Sequence, residues 1–277
     1  MLVGEARRWG AEMLSPLESP RLEADLLLMH VLGWQRHRLL VEGDSPLSRR
    51  QLEEYRRALA ARRRRTPLQH ITGRVEFMSA ELLAGPEAMV PRPETEVMLE
   101  ALLELLPEGA RRLLDVGTGS GAVAVALAVA LPRCRVWATD THRAALGLAR
   151  RNLFLHDLHN VDLVACDLAS ALAGGFHGVA ANLPYVPTGE IASLQPEVRF
   201  GDPRTALDGG PDGLDLVRRL AGDLPRLLAG GGAAALEVAD HQAGATARLL
   251  EASGLSDIQV RRDLAGRRRV VCGRKGG

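Results

Sequence analysis

Leu113-Leu114-Asp115-Val116-Gly117-Thr118-Gly119-Ser120-Gly121 is an apolar run that passes into three closely spaced glycines and then into the alanine-rich stretch Ala122 to Leu131. Residues 112–116 suit a strand buried on both faces. Glycines at its carboxyl end let the chain turn tightly and bring backbone against a ligand without Cβ clashes. A helix is predicted from Ala122. The loop alone is permissive, because with Ala122 in the last place it fits the loose G-x-G-x-x-A dinucleotide pattern. No Lys-Ser or Lys-Thr pair follows the glycines, so it is not a phosphate-binding P-loop.

Working outward, strands and helices alternate. Strands are predicted at Arg112 to Val116, Arg135 to Thr139, Val161 to Ala165, Gly178 to Ala181 and Ala233 to Val238. Helices are predicted at Ala122 to Leu131, Arg143 to Leu155, Leu214 to Leu228 and Gln242 to Ala252. Such alternation specifies an α/β fold, a mostly parallel sheet with helices on both faces. Two last strands, Asp257 to Arg262 and Arg268 to Gly273, are joined by a tight turn at Ala265-Gly266 and must pair antiparallel, since no crossover element separates them. The sheet is therefore expected to have seven strands and to end in an antiparallel hairpin.

Asp115, two residues before Gly117, suits a ligand carrying an ammonium or sulfonium charge better than a pyrophosphate. S-adenosyl-L-methionine (AdoMet) carries both. Asp140 ends the next strand, where a carboxylate can accept both hydroxyls of an unphosphorylated ribose, a placement that serves NAD equally well. Asp167, past the third strand, is a candidate acceptor for an adenine amino group, with Leu168 against the ring. Helix capping by Asp140 and turn capping by Asp167 are the plainer alternatives. The expected cofactor set is Asp115, Gly117, Thr118, Gly119, Ser120, Gly121, Asp140, Asp167, Leu168 and Asn182.

Asn182-Leu183-Pro184-Tyr185 follows the fourth strand and so falls at the same sheet edge as the glycine loop. A carboxamide nitrogen is a poor nucleophile, because its lone pair is delocalised into the carbonyl. Transfer to it needs the nitrogen fixed in line with the donor. The Asn182 side-chain oxygen and the Leu183 carbonyl are candidate acceptors for its two hydrogens. Pro184 restrains Leu183 to an extended conformation, and Tyr185 offers a flat face to a planar amide or base. Fixed acceptors stabilise positive charge developing on the nitrogen, so no titrating base is required. The catalytic set expected is Asn182, Leu183, Pro184 and Tyr185.

Residues 1–66 read as a small all-α bundle, with Ser19 and Pro20 opening a helix that Gly33 ends, and Ser48 with Gln51 forming a capping box for the next. Residues 67–85 read as a strand-like linker hairpin around Gly73, and 86–277 as the α/β domain. Pro91 to Glu96 lead into a helix, where Glu94 and Glu96 suit the helix dipole and Thr95 or Glu96 is a weaker candidate to brace the cofactor loop. Glu237 ends a strand, in a position that could line the cleft, and stays outside the expected site.

The chain carries 35 Lys+Arg against 34 Asp+Glu, a balance that does not point to nucleic acid as the principal partner. Residues 1–85 sum to +3 and the rest to −2; Lys275 is the single lysine. Cys134, Cys166 and Cys272 form no CxxC pair and fit a reducing cytoplasm as small hydrophobes. The start of the chain lacks the order of a signal peptide, and the longest apolar stretch is too short to span a bilayer. His156 and His159 share helical spacing without a third ligand, so no metal is expected.

These motifs together resemble the HemK/PrmC family of release factor glutamine methyltransferases. The resemblance rests on Pro67-Leu68-Gln69 with Ile71 and Gly73, Pro91 to Glu96, Asp115 to Gly121, Asn182 to Tyr185, Gln195 to Phe200 and Ala206 to Leu214. It implies a Rossmann-like class I AdoMet-dependent methyltransferase fold, AdoMet as cofactor, and Asn182 to Tyr185 holding a substrate glutamine. The implied partner is a class I peptide chain release factor, methylated on the glutamine N5 of its Gly-Gly-Gln loop by a cytoplasmic, monomeric enzyme. Leu183 departs from the family's Asn-Pro-Pro-Tyr. Asn-Leu-Pro-Tyr is familiar from adenine-N6 methyltransferases, which keeps RNA or DNA adenine as the alternative acceptor. Leucine retains the main-chain carbonyl, so amide chemistry is expected to survive.

Overall fold

A computed structural model describes residues 1–277. The chain divides into two compact units, Met1–Arg74 with Gln195–Gly201, and Val75–Leu194 with Asp202–Gly277.

The first unit is helical: α1 (Val3–Met13), α2 (Pro20–Leu32), α3 (Arg36–Val41), α4 (Arg49–Arg63) and α5 (Leu68–Thr72). Pro20 opens α2 and Gly33, at φ 65°, closes it; Ser19 holds the N-cap position without a side-chain bond. The capping box at Ser48 and Gln51 forms, with the Gln51 amide donating to Ser48 Oγ at 3.2 Å and the Ser48 amide to Gln51 Oε1 at 3.0 Å. Val3, Leu27, Leu28, Leu39, Tyr55 and Leu59 are fully buried together. The Tyr55 ring presses so closely on Gly10 that a Cβ there would come within 1.9 Å of its hydroxyl, which donates to the Ala24 carbonyl.

Gln195–Gly201, which contains α9 (Pro196–Gly201), packs in this same unit although it is remote in sequence. Arg62 explains why. Its guanidinium pairs with Glu23 and, at 3.0 Å, with Glu197, whose Oε1 also accepts from Arg65 at 2.9 Å. The Arg62 side chain is 8% exposed, so this network is largely shielded from water.

The hairpin expected across residues 67–85 is shorter and turns elsewhere. Leu68–Thr72 is a helix, and Gly73 at φ 72° is its left-handed cap. The strands are β1 (Arg74–Phe77) and β2 (Ala80–Leu83), joined at Met78-Ser79, both at positive φ. A two-residue turn with both central residues left-handed matches the twist of paired strands, and here it is made without Gly or Asn. The Met78 amide donates to Glu96 Oε1 at 2.7 Å, so Glu96 braces this turn and not the glycine loop.

The second unit continues with α6 (Pro93–Leu105), β3 (Arg112–Val116), α7 (Ala122–Ala130), β4 (Arg135–Asp140), α8 (Arg143–Leu155), β5 (Val161–Ala165) and β6 (Phe176–Ala181). After it come α10 (Asp215–Leu227), β7 (Leu228–Glu237), α11 (Ala243–Ala252), β8 (Leu255–Arg262) and β9 (Arg268–Lys275). The seven-stranded sheet has the order β5-β4-β3-β6-β7-β9-β8. β3 through β7 pair parallel, and β9 runs antiparallel to both β7 and β8.

Each face of the sheet has its own core. Met98, Leu99 and Leu102 of α6 and the apolar α7 cover one, while Val217, Leu220 and Leu224 of α10 and Leu250 of α11 cover the other. The order reverses direction at β3, whose neighbours are β4 and β6. That is the point in an open sheet where a crevice forms at the carboxyl ends of the strands.

Candidate functional site

A cavity of about 320 Å³ opens at that reversal, lined by the glycine loop after β3, Asp140 and Thr141 after β4, Cys166 to Leu168 after β5, and Asn182 to Pro184 after β6. Of the thirteen positions expected to act from sequence, only Gly121 and Tyr185 do not line it.

The three glycines serve different ends. Gly117 (φ 76°), Gly119 (φ 55°) and Gly121 (φ 81°) all adopt left-handed backbone that side chains disfavour. A Cβ on Gly121 would collide with Ala149 at 2.9 Å, so this glycine brings α7 against α8. At Gly119 the nearest heavy atom to such a Cβ is Ala88 Cβ at 3.7 Å, which leaves the backbone open to the cavity. The turn is held down by the Thr139 carbonyl, which accepts from the amides of Gly117 and Thr118 at 2.9 and 2.8 Å.

Asp115 sits beneath this turn, 2% exposed, with Oδ2 accepting from the Thr118 hydroxyl at 2.6 Å. Burial pushes its carboxyl up to about 7, against the opposing pull of the Thr118 hydroxyl and the Ala124 amide and with some help from Asp140. Asp140 holds both neighbouring segments at once. Its Oδ2 accepts from the Gly119 amide at 2.9 Å and its Oδ1 from the His142 amide at 2.8 Å, ahead of α8. Each oxygen keeps a further lone pair for a ligand hydroxyl. Loop bracing and ribose recognition are thus compatible in one residue. Asp167 is otherwise engaged, its Oδ2 pairing with Arg219 at 2.6 Å on the surface. Leu168, buried at φ 49°, sets the apolar wall beside it.

At the other wall, Asn182 Nδ2 donates to Thr95 Oγ1 at 3.0 Å. Thr95 in turn donates to Glu237 Oε2 at 2.6 Å, and the Tyr185 hydroxyl lies 3.5 Å from Glu237 Oε1. No protein donor reaches Asn182 Oδ1 or the Leu183 carbonyl. Glu237 is 2% exposed, and burial pushes its carboxyl up to about 7, with Glu94 raising it further and Thr95 and Arg269 opposing. Burial and the nearby Glu237 push the Tyr185 phenol up to about 12, so it is neutral. Tyr185 is fixed at its far end too, because Gln242 Nε2 donates to its carbonyl at 2.8 Å and to that of Asp212 at 3.1 Å.

Thr95 and Glu237 were named from the sequence but kept outside the expected site set. Thr95 braces Asn182, not the cofactor loop. The available signal was an acid at the end of a buried apolar strand, Ala233 to Glu237, with no charged neighbour in sequence to pair it.

The geometry fits a cationic ligand bearing vicinal hydroxyls and a flat apolar group. It offers a buried carboxyl under a glycine turn, a second carboxylate with free lone pairs, an apolar wall at Leu168, and two unpaired acceptors opposite.

A seven-stranded sheet in which β9 alone runs against the other strands, with this crevice at its switch point, defines a Rossmann-like class I methyltransferase fold. A Pyrococcus furiosus methyltransferase shares it at TM-score 0.54 and 19% identity over 71% of this chain and 89% of that one. A T. thermophilus 16S rRNA methyltransferase, solved with AdoMet and guanosine, does so at TM-score 0.52 and 22% identity over 73% of this chain and 49% of that one. Residues 5–73 match the PrmC N-terminal domain and residues 94–195 the methyltransferase small domain. The release factor glutamine methyltransferase of Deinococcus radiodurans is 42% identical over 206 residues, 74% of this chain and 73% of that protein. That of Rhodospirillum rubrum is 38% identical over 94% of this chain and 80% of its own length, and that of Escherichia coli 36% over 77% and 78%. The chain belongs to the release factor glutamine methyltransferase family.

Proposed function

We propose that this protein transfers a methyl group from AdoMet to the side-chain amide nitrogen of the glutamine in the Gly-Gly-Gln loop of a class I peptide chain release factor. The observation that carries the reading is the pair of unengaged acceptors, Asn182 Oδ1 and the Leu183 carbonyl, on residues that line the same cavity as the glycine turn. Two acceptors on adjacent residues equal in number the two hydrogens of a primary carboxamide. Family membership supports the same acceptor.

AdoMet, when bound, supplies an electrophilic methyl on sulfur. Gly117 to Gly121 would cradle it, Asp115 and Asp140 would meet its charge and hydroxyls, and Leu168 and Asp167 would border its base. Asn182 and Leu183 hold the amide hydrogens and stabilise the charge that develops on the nitrogen. Pro184 restrains Leu183, and Tyr185 closes that side, anchored at Glu237 and Gln242. The amide proton leaves to water once the nitrogen is methylated.

Catalysis is assigned to residues 86–277 and substrate docking or covering to the helical residues 1–66, with 67–85 as the joining segment. The enzyme is read as a cytoplasmic monomer, consistent with three unpaired cysteines; no helix is long and apolar enough to cross a membrane. The test is incubation with labelled AdoMet and a class I release factor. Label should appear in the factor and vanish when its loop glutamine is replaced. Equal labelling of the replaced factor overturns the assignment, and label in RNA would transfer it to an adenine acceptor.

A further inference from the structure

The Asn182 carboxamide can point either its oxygen or its NH₂ into the cavity, and the two ends are nearly the same size. Only one orientation offers an acceptor to a substrate amide. Thr95 decides between them. Its hydroxyl sits between Asn182 Nδ2 at 3.0 Å and Glu237 Oε2 at 2.6 Å, and it has one proton to give. An ionised Glu237 can only accept, so that proton goes to its carboxylate along the shorter bond, leaving a lone pair for Asn182. The amide must then offer its NH₂ to Thr95, which turns Oδ1 outward.

We propose that Thr95 and Glu237 are positioning residues whose hydrogen-bond chain sets the Asn182 carboxamide with its oxygen toward the methyl acceptor. The inference rests on the role given to Asn182 above. The chain is short, buried and drawn from three separate elements, α6, the loop after β6 and the end of β7. Thr95 is 4% and Glu237 2% exposed, so water does not compete for either. Tyr185 touches the other Glu237 oxygen, so the same carboxyl steadies both ends of the Asn182 to Tyr185 segment. Glu94 and Arg269 are the other charged groups facing Glu237. In its ionised form this one acid therefore fixes the sense of donation for the acceptor wall.

The experiment compares single-turnover methylation of a release factor by wild type, Thr95→Val, Thr95→Ser, Asn182→Ala and the Thr95→Val/Asn182→Ala double variant, with AdoMet affinity measured in each. Thr95→Val keeps the shape and removes the hydroxyl. It should lower the methyl-transfer rate about tenfold to a hundredfold, the range for groups that orient a ligating side chain, with AdoMet affinity nearly unchanged. Thr95→Ser should recover at least half the rate. In the Asn182→Ala background, Thr95→Val should have no further effect, because Thr95 acts through Asn182.

A Thr95→Val rate equal to wild type, a full additive loss in the double variant, or Thr95→Ser as impaired as Thr95→Val would each overturn the proposal. If Thr95→Val does not fold, Thr95→Ala carries the same cycle. Failure of the glutamine assignment would show in the wild-type arm alone, through label at another acceptor. Failure of the positioning chain shows only in the ratios between variants.

Discussion

Leu183 packs directly against Gly117: a Cβ added to Gly117 would lie 3.2 Å from Leu183 Cδ2. The acceptor segment and the cofactor turn therefore approach so closely, through one side chain that is 4% exposed, that a side chain on Gly117 would be crowded. This gives Leu183 a packing role in addition to its carbonyl.

That contact sets the outcome of two substitutions. Gly117→Ala forces alanine to φ 76° and pushes on Leu183 as well. The backbone cost alone is about 1–2 kcal/mol, and calorimetry should show AdoMet affinity falling about tenfold. Leu183→Pro keeps the carbonyl and should retain the methylation rate within about threefold. It gives up apolar burial, so denaturant unfolding should register a loss of about 1–2 kcal/mol.

Asn182→Ala removes the side-chain acceptor while leaving the Leu183 carbonyl in place. By analogy with deletion of one oxyanion-hole donor, kcat should fall on the order of 10²–10³-fold. Steady-state kinetics should find KM for the release factor much less changed, since the lost contact matters most as charge develops.

Asp115 makes cofactor affinity depend on pH. Burial holds its carboxyl near 7 in the free protein, well above the ordinary carboxylate range. A cationic ligand alongside favours the ionised form, so binding should release a proton and tighten as pH rises from about 6 to about 8. Calorimetry in two buffers of different ionisation enthalpy reads that proton directly, and Asp115→Asn should abolish its release. Without ligand the sign for stability is opposite. From about pH 4 to about 7 the folded state holds protons on Asp115 and Glu237 that the unfolded chain has lost, so their contribution to stability declines as pH rises.

Arg62 is the hinge of the network in the helical unit. Arg62→Met keeps the apolar stem but leaves Glu23 and Glu197, 16% and 19% exposed, without their shared cation. Breaking a shielded pair from one side costs on the order of 3 kcal/mol. Thermal denaturation should show a clear drop in midpoint, which a further Glu23→Gln change should partly restore by removing the stranded charge, since Glu197 keeps Arg65 at 2.9 Å.

The α/β architecture was legible because parallel strands buried on both faces write themselves as apolar runs, as Arg112 to Val116 and Gly178 to Ala181 do. The hairpin was misplaced because its turn, Met78-Ser79, is left-handed at both residues without the glycine or asparagine that normally marks such a turn. Gly73 looked like that turn but ends a helix. The glycine loop and Asn182 to Tyr185 could be read because each is a contiguous motif. Thr95 and Glu237 lie 142 positions apart, and only the pairing of β7 beside β6, with α6 above, brings them to one hydrogen bond. Asp167 could not be separated from its surface partner in advance, since Arg219 stands 52 residues away on α10.

The excursion of Gln195–Gly201 into the helical unit has a consequence for dissecting the protein. No single cut of the chain yields either unit whole. A truncation beginning at Val75 would retain Glu197 while discarding both guanidinium groups that neutralise it, and a fragment ending at Arg74 would leave Arg62 with Glu23 alone. Separating the two halves cleanly calls for a circularly rearranged or grafted gene in which those seven residues travel with the helices.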